Sequence, residues 1–164
     1  MKSTGTLRLG IVVGRSPNPQ ATLNDLWRRA EDAVAATGTR LSGEALVVAG
    51  PGSTPVSPAA GLDVVALPPA APGRLDGVIA AVAGKGGPLG IAGRLVRDNR
   101  ESRQLARSVA ARPELQAALL TADVVVAADV SANRTVWQLR RRTAAPLVHG
   151  PIAMMHALRG KAER

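Results

Sequence analysis

Cysteine, phenylalanine and tyrosine are absent from this 164-residue chain, and its only aromatic residues are Trp27 and Trp137. Without cysteine there is no disulfide, no thiolate metal site and no cysteine nucleophile, a composition that agrees with a reducing compartment. With two aromatics, the interior has to be built from Val, Leu, Ile and Ala, which suits parallel strands packed between alanine-rich helices. Lysine is also scarce: of 21 basic residues only Lys2, Lys85 and Lys161 are lysine, and against 12 acidic residues the formal net charge is +9. That balance permits contact with phosphates, nucleotides or an acidic partner. No nucleic-acid-binding motif and no aromatic platform for stacking bases accompany it, so nucleic acid is not an expected partner. Long apolar runs are missing too. Residues 7–13 form a short one broken by Arg8 and Gly10, too short for a signal-peptide core or a spanning helix. The expectation is a cytoplasmic protein without a membrane partner.

What the chain does have is an α/β rhythm. Residues 121–150 read as a buried strand (Val124–Val126), a polar turn, an amphipathic helix to Arg142 and a second strand at 145–150. This is one parallel βαβ unit. Upstream, residues 7–14 predict a first strand. Leu23, Leu26, Trp27, Ala30, Ala33 and Val34 predict a helix capped by Thr22 or Asn24 and stopped by Gly38. Residues 45–49 and 63–67 predict two more strands. Residues 75–83 suggest a short helix, 84–90 a glycine-rich loop, and 94–111 and 113–120 further helices, with a terminal helix over 152–158. The length fits one domain spanning 1–164. The fold expected is α/β and Rossmann-like, a mostly parallel sheet of about five strands with helices on both faces.

Ligands in such sheets bind beyond the carboxyl ends of the strands. The rule nominates Gly14-Arg15-Ser16, the 50–53 loop, residues 129–133, and His149-Gly150. The first loop lacks the Gly-x-Gly-x-x-Gly dinucleotide fingerprint, and Lys85 is followed by Gly86 where a phosphate-binding P-loop needs Ser or Thr. No cofactor is therefore expected. Asp129 and Ser131 sit where a helix N-terminus could hold a phosphate or a sugar hydroxyl, or where they satisfy that terminus themselves. Asn133 shares the same turn. His149 ends a strand, where it could orient a substrate or act as a base, or simply be structural. No His/Asp/Glu spacing suggests a metal site. Arg97, Arg100, Arg103 and Arg107 fall within about 120° on a helical wheel, a basic face for a phosphate-bearing ligand or an acidic protein, or a solvated surface. Arg140–Arg142 read as cations complementing a helix C-terminus.

The segment from Leu119 through Ala122-Asp123-Val124-Val125-Val126 to Asp129, followed by Val136-Trp137-Gln138-Leu139 and Arg140–Arg142, resembles the N-terminal half of GT-B-type glycosyltransferases. The resemblance covers residues 7–158 in order of elements. It implies a Rossmann-like domain that mainly handles the acceptor, with Gly14-Arg15-Ser16 near the phosphates of a sugar-nucleotide donor. The donor domain of that family has no counterpart in these residues, so the resemblance implies a second domain or another chain. The alternatives are a non-catalytic binding or assembly module using the arginine face, and a regulator holding phosphate at the Asp129–Ser131 turn.

Overall fold

The computed structural model describes residues 5–49, 54–69 and 73–164. In chain order they form β1 (Thr6–Val13), α1 (Pro19–Ala35), β2 (Arg40–Val48), β3 (Leu62–Leu67), α2 (Asp76–Ala83), α3 (Gly87–Ala110), α4 (Pro113–Leu120), β4 (Val124–Ala127), α5 (Asn133–Trp137), β5 (Leu147–His149) and α6 (Gly150–Ala162). The strands make one sheet in the order β3-β2-β1-β4-β5, and every pairing is parallel. The fold is a Rossmann-like α/β sandwich, as the sequence pattern predicts.

Strand alternation builds two cores. Leu9, Ile11, Val13, Ala45, Val47, Val124 and Val126 point to one face, under α1 and α6. Val12, Leu46, Leu67, Val125 and Ala127 point to the other, under α3, α4 and α5. Because the central strands are buried on both faces, their sequences read as unbroken apolar runs rather than alternation.

Several boundaries differ from the sequence expectation, each for a local reason. Helix α1 is capped by Asn18, whose side chain accepts from the Ala21 amide at 3.0 Å, rather than by Thr22 or Asn24. Pro19 fixes the first helical position, which places the cap one residue before it. Strand β2 begins at Arg40, five residues earlier than its apolar run, because its first half is only half-buried and carries Ser42 and Glu44. Gly43 in that half lies against Trp27, and a Cβ there would sit 2.6 Å from the Leu9 carbonyl and 2.9 Å from the indole. The glycines of residues 84–90 do not all belong to a loop. Helix α3 already starts at Gly87, and a Cβ on Gly93 would meet the Ala83 amide at 2.6 Å. Glycine there serves close packing of α3 on α2. The helix expected up to Arg142 is α-helical only over α5. Its flanks, Val130–Ala132 and Gln138–Arg141, are wound as 3-10 turns, the first closed by the Asp129 carboxylate accepting from the Ala132 amide at 3.1 Å. Arg140 and Arg141 stand in the last turn of the second 3-10 flank, and Arg140 lies 3.3 Å over the Trp137 ring, a cation–π contact.

Glu44 pairs in register with Asp63 of β3. Burial raises its carboxyl pKa above the ordinary 4.5 and the Asp63 charge adds to the rise, while Arg8 opposes it. An acid whose pKa is higher in the fold than in the unfolded chain loses stability as pH rises from its unfolded value through its folded one. Glu44→Gln is thus expected to raise the melting temperature at neutral pH. The gain should vanish in melts run below the ordinary value of 4.5, where both forms are neutral.

Candidate functional site

A cleft of about 410 Å³ opens at the carboxyl ends of β1, β2 and β3. Gly14, Arg15 and Ser16 border it after β1, Val48 and Ala49 after β2, and Leu67, Pro68 and Pro69 after β3. Ile79 and Asp76 of α2 close one side, and α3 runs over it with Arg97, Arg100, Glu101, Gln104, Leu105 and Ser108. The floor is aliphatic and the rim charged, the division expected of a small-molecule site.

The loop after β1 is fixed by a clamp that spans the sequence. The Gly14 amide donates to Asp129 Oδ2 at 2.7 Å and the Arg15 amide donates to Ser131 Oγ at 2.8 Å. The Ser131 hydroxyl in turn donates to Asp129 Oδ1 at 2.5 Å. Gly14 has to be glycine, since a Cβ would fall 2.1 Å from Ser131 Oγ. Gly14, Arg15, Asp129 and Ser131 are thus brought together, with Ser16 beside them. The clamp also consumes the amides of Gly14, Arg15 and Ala132, which leaves those donors occupied rather than open to a phosphate.

The arginine face divides. Arg15 Nη1 pairs with Glu101 Oε1 at 2.9 Å, and Arg100 Nη1 with Asp76 Oδ1 at 2.8 Å. Among the described residues Arg97 has only a long contact, 3.6 Å from Nε to Asp98 Oδ1, and that Nε is buried without a hydrogen-bond partner there. Arg103 and Arg107 are exposed and lie outside the cleft lining.

Asn133 and His149 do not reach this cleft. They line a second, shallower cavity beyond β4 and β5, also about 410 Å³, with Arg134, Val136, Trp137 and Leu147. Residues 50–53, nominated as a strand-end loop, lie outside the described residues. No group of three or more His, Asp or Glu that could hold a metal ion occurs among the described residues.

Sequence reasoning missed Gln104 and Ser108, although a signal was present. Arg97, Glu101, Gln104 and Ser108 recur at helical spacing as a polar stripe beside the buried Leu105. Asp76 and Ile79 carried no such signal. No family model, no curated protein and no solved structure matches the chain.

Proposed function

We propose that the chain is a ligand-binding domain whose carboxyl-end cleft takes an organic anion with an apolar body. We further propose that it works as the acceptor-handling half of a glycosyltransferase-like enzyme, the donor being carried by a second domain or chain. The observation that supports binding is Arg97. It is the cleft cation least neutralised by the protein, placed over an aliphatic floor, and a partly buried charge is stabilised by an opposite charge and hydrogen bonds. Arg15 and Arg100, already paired with carboxylates, hold the rim in shape. The transferase half of the reading rests on the order of elements and on residues 119–142. A second reading, an assembly module, is favoured by the exposure of Arg103 and Arg107, which form no ion pair among the described residues.

The test is a thermal-shift screen of the purified chain against sugar nucleotides, free nucleotides and phosphorylated metabolites. A ligand at a hundred times its dissociation constant adds about 2.7 kcal/mol, a rise of roughly 5–10 °C for a domain of this size. The rise is expected for at least one class and is expected to disappear in Arg97→Ala. Unchanged melting across the panel would refute the binding reading.

A further inference from the structure

Six of the nine large hydrophobic side chains that stand exposed among the described residues lie in one stretch: Leu75, Val78, Leu89, Ile91, Leu95 and Val96. All belong to α2, its preceding residue, and the N-terminal half of α3. Each is more than half exposed, so this pair of helices turns an aliphatic surface outward while Gly93 and Ala83 hold the two helices together. Clustered exposed apolar surface of this kind marks an interaction site in a stable domain.

The charges around it are mostly basic, with Asp98 on the following turn of α3 the nearby exception. Between Arg74 and Val96 the basic residues are Arg74, Lys85 and Arg94, all exposed, and the single carboxylate, Asp76, is committed to Arg100. One ridge of α3 shows the arrangement most plainly. Ile91, Leu95, Asn99, Arg103 and Arg107 follow each other at four-residue intervals, and all five are exposed. The ridge runs from aliphatic through polar to basic, with about 12 Å of helix between Leu95 and Arg103. That is the chemistry of an interfacial helix, whose apolar part enters the headgroup–acyl boundary while cations stay among the phosphates.

We propose that the α2–α3 pair docks on an anionic membrane surface, with its aliphatic end inserted and Arg103 and Arg107 at the level of the lipid phosphates. A second copy of the chain would set the same basic rim against itself. A protein partner would more commonly be met by aromatic anchors, and this patch has none. Among the described residues no helix is long and apolar enough to cross a membrane, and none is needed for docking on a surface.

The experiment is co-sedimentation of the full chain with vesicles of phosphatidylcholine alone and of phosphatidylcholine mixed with phosphatidylglycerol. Three proteins are compared: wild type, Ile91→Ser/Leu95→Ser and Arg103→Glu/Arg107→Glu. Because the four positions are exposed, both double variants should keep the wild-type far-UV dichroism and melting temperature, which is checked first. Wild type is expected on the anionic vesicles only, with binding reduced by salt. Each double variant is expected to bind about tenfold or more weakly. Three results would overturn the proposal. One is no sedimentation of folded wild type with anionic vesicles. Another is binding that the serine substitutions leave unchanged, which is adsorption of a basic protein by charge alone. The third is lipid-free self-association abolished by those same substitutions, which assigns the patch to a second copy.

Discussion

Replacing Asp129 by alanine is expected to lower the stability of the chain by about 3 kcal/mol, or roughly 6–12 °C in melting temperature. One carboxylate holds three groups: the Gly14 amide, the Ala132 amide and the Ser131 hydroxyl. Its loss removes the cap of the turn after β4 and leaves the partly buried Gly14 amide without an acceptor. The cost of that orphaned donor is the larger share, because water does not readily replace a partner in this setting. Asp129→Asn keeps one acceptor oxygen and should fall between the two. Hydrogen exchange adds a readout specific to the clamp: the Gly14 and Arg15 amides should lose protection in Asp129→Ala far more than those of α1. A variant within about 0.5 kcal/mol of wild type, the range of ordinary surface substitutions, would mean that the clamp does not hold the loop.

The other large effect belongs to Trp27. This indole is 3% exposed and fills the space left by Gly43, whose carbon would otherwise approach the ring at 2.9 Å. Trp27→Ala opens a cavity against two neighbouring strands and is expected to cost about 3–5 kcal/mol by chemical denaturation. Trp27→Phe should cost much less. The indole Nε1 is buried without a hydrogen-bond partner among the described residues, so phenylalanine forfeits ring volume but also removes an unsatisfied donor. Equal losses in the two variants would show that the nitrogen has a partner after all, or that packing around the ring tolerates no change in shape.

The parts of the molecule that were legible in the sequence are those where local pattern and burial agree. Val124–Val126 and residues 11–13 are apolar without interruption because both faces of the sheet are covered, and the helix stripe of α1 has one buried face. The amino-terminal half of β2 was not legible, since Ser42, Gly43 and Glu44 are only half-buried and lack an apolar pattern. Glycine misled at Gly90 because the same residue marks a flexible turn and a close helix contact. Of the residues nominated by the strand-end rule, Gly14, Arg15, Ser16 and Ser131 border one cleft. The rule could not separate them from Asn133 and His149, because sequence order does not say which strand-end loops share a cavity. The pairing of Gly14 with Asp129 spans 115 residues and leaves no local trace. The arginine periodicity of α3 splits at the cleft: Arg97 and Arg100 line it together with Glu101, Gln104 and Ser108, whereas Arg103 and Arg107 lie outside.

The most direct measurement is titration calorimetry of the ligand that gives the largest thermal shift, against wild type, Arg97→Ala and His149→Ala. If the cleft under α3 is the binding site, the Arg97→Ala affinity falls tenfold or more, on the order of 1.5–3 kcal/mol for a lost charge-assisted hydrogen bond, and His149→Ala binds as wild type. Loss of binding in His149→Ala with Arg97→Ala unaffected would move the site to the second cavity and contradict the account.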